Sequence, residues 1–330
     1  MGLVSFYYFI YRIIRFFGDF IYRKMELVFS STYIKYKQIL NHLEQNVRDL
    51  NYNMKGVNNM KRKLVAIGGG ENGRFLEDGS QTMYETQTMD EEIIKLTNKK
   101  TPNYLFIAHA MCFSEEIQDS YYETMKKIYG DKYGCNCKHL KASDLYNKKV
   151  VKELIEWADI IYEGGGDTDA MIKLWKKTGF DIILREAWHS GKVVCGISAG
   201  AVCWFNSCNS DSEEIQFKTV ECLNWFDIFI TPHCDEEGRY ESTKRQLKEN
   251  KMLGLMLSNC SAIEIVDDKY KIISSNGNGR NFKRGYVLKC YWENNRFYEK
   301  KLEDSNKYEL LSELFSANIM KLKNEKNNID

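Results

Sequence analysis

From Lys63 onward, short apolar runs alternate with longer stretches in which apolar and polar residues recur at helical spacing. Leu64-Val65-Ala66-Ile67, Tyr104-Leu105-Phe106-Ile107-Ala108, Ile160-Ile161-Tyr162, Lys192-Val193-Val194-Cys195 and Ile228-Phe229-Ile230 are continuous apolar runs of strand length. Between them lie helical patterns opening at Asp90-Glu91-Glu92 and running over residues 121–129, 148–157, 171–175 and 182–188. Acids in a first turn suit the positive end of the helix dipole. Strands that are apolar throughout, separated by helices, predict a mainly parallel sheet with helices on both faces, and active loops at the carboxyl ends of its strands. Residues 262–266, 270–273 and 286–288 predict antiparallel strands, with turns at Asp267-Asp268 and Asn276-Gly277.

Residues 1–59 break this pattern. Residues 3–22, LVSFYYFIYRIIRFFGDFIY, are apolar and aromatic but are interrupted by Arg12, Arg15 and Asp19. A secretory signal wants an unbroken apolar centre and a small-residue cleavage site, and a membrane span wants about 20 apolar residues with few charges. The segment fits better as a basic amphipathic helix that contacts a membrane surface through residues 1–35, or as an appendage on the main domain. Met60-Lys61-Arg62-Lys63 makes a natural domain start. The expected organisation is therefore an extension over 1–59, an α/β domain over 60–302, and a helix with a polar tail over 303–330.

The charge totals are 47 Lys and Arg against 46 Asp and Glu. This balance excludes a polyanion partner for the whole chain, and no nucleic acid is expected. It hides an asymmetry, with eight basic and four acidic residues up to Met60 and a mildly acidic remainder. Ten cysteines are scattered with no CxxC pair, which predicts reduced, mostly buried thiols in a cytoplasmic protein. No HExxH or Cys/His cluster supports a metal, and no cofactor is expected. His233-Cys234-Asp235 has ligand chemistry but lacks a spaced partner.

Three strand ends run into glycine. Gly68, Gly70 and Gly73 satisfy GxGxxG, yet the next strand ends Ala108-His109-Ala110 without the acid a dinucleotide site needs. Glu163-Gly164-Gly165-Gly166-Asp167-Thr168 lacks the Lys-Ser/Thr pair of a phosphate loop. It predicts a tight strand-to-helix turn with Asp167 or Thr168 as N-cap, and its N–H groups are a candidate cradle for an oxyanion. Gly196-Ile197-Ser198-Ala199-Gly200 is a GxSxG elbow after a buried strand. Such a turn pushes the serine hydroxyl clear of the sheet and sets the Ala199 N–H at a helix start, where it can hold an oxyanion. His233 follows the strand ending at Ile230 and would emerge at the same sheet edge, while Asp211, Glu213 and Glu214 lie between the two. A serine needs a base for its proton, and that base needs an acid to fix its tautomer and stabilise the imidazolium. His42, His109, His139 and His189 are expected in structural or solvated roles.

Taken together, Ile67-Gly68-Gly69-Gly70-Glu71, residues 163–168, residues 196–201 and Pro232-His233-Cys234-Asp235 resemble the peptidase E (aspartyl dipeptidase) and cyanophycinase family of serine peptidases. The resemblance implies a class I glutamine amidotransferase-like fold, with serine where those amidotransferases carry cysteine. It implies Ser198 as nucleophile, His233 as base, and an acid in the loop after the elbow, Asp211 with Glu213 as alternative. The second oxyanion N–H beside Ala199 falls at Gly166 or Gly165. An aspartate preference in that family depends on basic pocket residues; Arg239 and Arg245 are available here, though an exposed mixed-charge helix accounts for either residue taken singly. The expected activity is hydrolysis of short peptides through an acyl-enzyme, in the manner of a dipeptidase, by a monomer or homodimer. Two other readings compete: an α/β-hydrolase esterase, and a non-catalytic amidotransferase-like binding or regulatory protein.

Overall fold

Strand β1, Lys63–Ile67, lies at the centre of the architecture. Its side chains alternate between two apolar clusters, with Leu64 and Ala66 in one and Val65 and Ile67 in the other. In β2, Asn103–Ile107, Leu105 and Ile107 join the first cluster while Tyr104 and Phe106 join the second. A strand must be apolar throughout when both sheet faces are covered, and each such side chain contributes about 1.5–3 kcal/mol. The computed structural model describes residues 61–74, 76, 78–211, 217–277 and 284–315. The expectations placed on residues 1–59, on Glu213 and on the tail beyond Phe315 lie outside them.

The remaining strands are β3 (Asn136–Leu140), β4 (Ile160–Glu163), β5 (Val193–Ile197), β6 (Phe205–Ser210), β7 (Lys218–Glu221), β8 (Phe226–Thr231), β9 (Gly254–Leu257), β10 (Ser261–Val266), β11 (Lys269–Ser274), β12 (Val287–Glu293), β13 (Arg296–Lys301) and β14 (Glu309–Leu310). They form an eight-stranded sheet of order β14-β11-β10-β1-β5-β4-β2-β3 and a six-stranded sheet of order β13-β12-β9-β8-β6-β7. In the larger sheet β1, β5, β4, β2 and β3 run parallel, and β10 and β11 extend it antiparallel. In the smaller sheet β6, β8 and β9 are parallel to one another. The mixed α/β class expected from the alternation is what the chain adopts, with a second sheet carrying strands the apolar runs did not predict. The C-terminal region adds β14 to the edge strand β11, and the helix Leu311–Phe315 follows.

Local signals account for the helix ends. Asn147 caps the helix Lys148–Trp157 by accepting the Val150 N–H, and Asp167 caps Thr168–Thr178 by accepting the Ala170 N–H at 3.0 Å. Gly179, at φ 75°, ends the latter in the left-handed region that glycine enters without strain. The chain departs from its apparent pattern at Ala201-Val202-Cys203-Trp204-Phe205. That run looks helical, yet the helix stops at Val202 and Phe205 opens β6. Trp204 and Phe205 are fully buried and pack with Trp225 and Phe226, so tertiary burial overrides helical propensity here.

Candidate active site

The loop after β1 organises the site through three successive backbone carbonyls. Ile67 O accepts the Ser198 N–H at 3.0 Å, Gly68 O accepts the His233 N–H at 3.1 Å, and Gly69 O accepts the Cys260 N–H at 2.9 Å. Ser198, His233 and the residue after Asn259 are thereby tied to one short segment. The glycines there serve space: a Cβ at Gly69 would lie 2.2 Å from His233 Nδ1 and 2.2 Å from Asn259 Oδ1. The first glycine motif is thus the floor beneath a histidine–asparagine pair.

Ser198 stands between β5 and the short helix Ala199–Val202 with φ 55° and ψ −115°. His233, just beyond β8, also has a left-handed backbone at φ 48°. Non-glycine residues held in this way cost on the order of 1–3 kcal/mol each, and such strain clusters at functional sites. The strain falls on the serine itself. Gly196 and Gly200 are needed instead for close packing, since a Cβ at Gly200 would lie 2.2 Å from Glu163 O and one at Gly196 would lie 2.5 Å from it. Both obstacles are backbone. Gly200→Ala is therefore expected to destabilise the fold by about 3 kcal/mol or more, or to abolish soluble expression. Denaturant unfolding checks this, and wild-type stability would contradict the packing argument.

Ser198 Oγ lies 3.0 Å from His233 Nε2, and His233 Nδ1 lies 2.8 Å from Asn259 Oδ1. The protons follow from the partners. Asn259 Nδ2 faces Asp235 Oδ1 at 3.2 Å and Glu236 Oε1 at 3.4 Å, and carboxylates only accept. The amide nitrogen must point at them, so the amide oxygen points at the imidazole and requires Nδ1–H. Nε2 then offers its lone pair to the Ser198 hydroxyl. Asp235 Oδ1 also accepts the Asn259 backbone N–H at 2.7 Å, and Glu236 Oε1 lies 3.6 Å from His233 Nδ1. Two carboxylates therefore stand immediately behind the asparagine.

Asp211, the acid expected from the sequence, is not among the groups on His233. Its carboxylate meets Arg239 Nη2 at 2.6 Å, because β6 delivers Asp211 to the first turn of the helix Arg239–Asn250 while the end of β9 delivers Asn259 to the imidazole. Arg239 is 3% exposed, stacks over Phe217 and is occupied by that pairing; Arg245 is exposed on the same helix. Neither lines the cleft beside the histidine. A search for acids passes over Asn259, a neutral amide in the tight connection between β9 and β10. The available signal was the apolar run Gly254-Leu255-Met256-Leu257 ending in a polar turn.

On the other side of Ser198, Gly165 is the adjacent glycine: a Cβ there would lie 3.4 Å from Ser198 Cβ and 3.9 Å from Oγ. Gly166, at φ 142°, faces the Ala110 carbonyl instead. The Ala199 N–H has no acceptor among the described residues. Beneath this loop Glu163 is fully buried, with Oε1 accepting the Ala110 N–H at 3.1 Å, and burial pushes its carboxyl well above the usual range. His109 is a core residue that accepts from Trp175 Nε1 at Nδ1 and lies 2.9 Å from Leu140 O at Nε2. Burial lowers its pKa to about 3.

A cleft of about 590 Å³ opens beside His233 and Asn259. Among the described residues its lining carries Glu71, Glu85, Asp235, Glu236 and Glu237 against Arg284, and Arg284 meets Asp304 at 2.5 Å. The ten cysteines are free, with Cys208 and Cys222 in thiol contact at 3.7 Å. Among the described residues no group of three or more His, Cys, Asp or Glu side chains is arranged to hold a metal, and no helix is long and apolar enough to cross a membrane.

An elbow serine paired with a tautomer-fixed histidine at the strand ends of an α/β fold defines a serine hydrolase. Residues 75–273 match the model of Peptidase family S51, and the chain belongs to that family of serine peptidases. It is 28% identical over 225 residues to the uncharacterized peptidase YgaJ of Bacillus subtilis (strain 168), covering 67% of this chain and 91% of YgaJ. A shorter likeness, 29% over 97 residues, is to the uncharacterized peptidase Lmo0363 of Listeria monocytogenes, spanning 28% of this chain and 47% of that protein. In fold the chain is similar to the crystal structure of a peptidase from an acI-B1 Actinobacterium, with a TM-score of 0.55 and 19% identity over 76% of this chain and 97% of that one.

Proposed function

We propose that the protein hydrolyses short peptides by attack of Ser198, with His233 as general base and Asn259 as the residue that orients it. The observation carrying this reading is the continuous chain Ser198 Oγ, His233 Nε2, His233 Nδ1, Asn259 Oδ1, with contacts of 3.0 and 2.8 Å. As Oγ bonds to the scissile carbonyl carbon, its proton passes to Nε2 and the carbonyl electron pair moves onto oxygen. The N–H groups of Ala199 and Gly165 receive that oxyanion. His233 then protonates the leaving amine, and water repeats the sequence on the acyl-enzyme. An asparagine fixes the tautomer without bringing charge, and Asp235 and Glu236 behind it accept from its amide nitrogen and hold it in place.

The charge of the cleft bears on substrate choice. Its carboxylate-rich lining favours the ammonium terminus of a peptide, or a basic side chain, over the acidic residue that the family resemblance implied. Two experiments test the proposal. A fluorophosphonate probe should label Ser198, identified by peptide mapping, and hydrolysis of a dipeptide and tripeptide panel should rank free-amine peptides with neutral or basic side chains above aspartyl ones. Labelling elsewhere, or hydrolysis of simple esters alone, would refute the peptidase mechanism; a strict aspartyl preference would refute the charge argument.

A further inference from the structure

Tyr121 lies on the helix Glu115–Lys126, which packs against β2 and the glycine loop after β4. Its ring is flush against the backbone of Gly164: a Cβ there would fall 2.5 Å from Tyr121 Cε1 and 3.1 Å from Cζ. The same ring meets Phe106 edge-on at 4.9 Å between centroids. Packing explains the ring but leaves the hydroxyl to be explained, since phenylalanine would fill the same space. That hydroxyl accepts the Gly165 N–H at 3.4 Å. A phenol also has one proton to donate, and the Tyr121 proton has no acceptor among the described residues. An uncommitted donor therefore sits on the very N–H, beside Ser198, to which the oxyanion has been assigned.

We propose that the Tyr121 hydroxyl is a third oxyanion donor, moving from acceptor of the Gly165 N–H in the free enzyme to donor toward the tetrahedral intermediate. The inference rests on the Ser198–His233 reading above. When Oγ bonds to the carbonyl carbon and the π pair moves onto oxygen, that oxygen takes the Gly165 and Ala199 N–H groups. Gly165 gives up its long contact with Tyr121, whose O–H turns to the same oxygen. Tyr121 keeps its proton throughout; the only proton transferred is the serine proton, to His233 Nε2. Burial raises the phenol to about 12, so it remains a neutral donor across the working range.

The test is Tyr121→Phe in the full chain, which removes one oxygen and leaves the ring packing. Loss of one oxyanion donor lowers kcat by about 10²-fold, so kcat should fall by that order with KM within about twofold. Affinity for a peptide aldehyde, which forms a tetrahedral adduct on serine, should weaken in parallel. A kcat within threefold of wild type, or unchanged aldehyde affinity, overturns the proposal and leaves Tyr121 a packing residue. Ser198→Ala on the same substrate separates the two readings, because turnover surviving that change defeats the serine mechanism itself. Should Tyr121→Phe fail to fold, 3,5-difluorotyrosine at position 121 keeps ring and oxygen but ionises at lower pH. It should introduce an alkaline loss of kcat absent from wild type, and an unchanged pH profile overturns the proposal.

Discussion

Ser198→Ala is expected to lower kcat on any peptide substrate by at least about 10³-fold, leaving a residue of activity from the oxyanion donors and binding alone. The loss belongs in kcat because in the proposed mechanism Oγ is the atom that bonds to substrate, whereas the cleft beside His233 does not include Ser198 in its lining. Folding should survive, since Ser198 is partly exposed and its backbone N–H bond to Ile67 O does not depend on the side chain. Alanine at φ 55° carries the same strain as serine, so stability should change little. Glycine relieves that strain, and Ser198→Gly is expected to be inactive yet more stable by about 1 kcal/mol. Steady-state turnover with thermal unfolding on both variants checks the pair. A Ser198→Ala protein that turns over peptide within tenfold of wild type would sink the assignment.

The second large effect concerns the histidine's partner. Asn259→Ala is expected to reduce kcat by about 10²-fold or more with KM little changed, because the imidazole loses the acceptor that holds hydrogen on Nδ1 and directs the Nε2 lone pair at Ser198. Asp211→Asn should keep kcat within about threefold, as its carboxylate serves Arg239. The reverse pattern, activity lost with Asp211 and kept with Asn259→Ala, would restore Asp211 as the acid and refute the asparagine reading. Asn259→Asp is informative because a third carboxylate would join Asp235 and Glu236, with the amide donors to both removed. Like charges within hydrogen-bond distance disfavour ionisation. That variant should fall below wild type despite its closer likeness to an aspartate triad.

Local signals carried much of the design. The elbow at residues 196–200 shows in sequence because close packing on the Glu163 carbonyl demands glycine at both flanks, and that demand leaves a readable spacing. His233 was readable because it follows an apolar strand. The partner of the imidazole was not: nothing local marks an amide in a turn 26 residues beyond the histidine, and the expectation of an acid in the loop after the elbow pointed to Asp211. The resemblance to peptidase E put Arg239 forward as a substrate residue, whereas it is buried and paired with Asp211. The glycine proposed to hold the oxyanion was legible only as part of a triplet. Choosing Gly165 over Gly166 needed the distance to Ser198, which depends on how β4 and β5 end side by side.

By itself, then, the sequence determined the α/β class and the family, and it marked residues 196–200 as an elbow and His233 as the candidate partner of its serine. Each depends on short-range constraints: apolar periodicity, glycine where backbone approaches backbone, and a serine in a strained turn. Tertiary structure alone decided which partner faces the imidazole, which N–H groups face the serine, and which carboxylates line the cleft. Those are contacts between the ends of β1, β4, β5, β8 and β9, brought together by two sheets whose pairing no local stretch of sequence encodes.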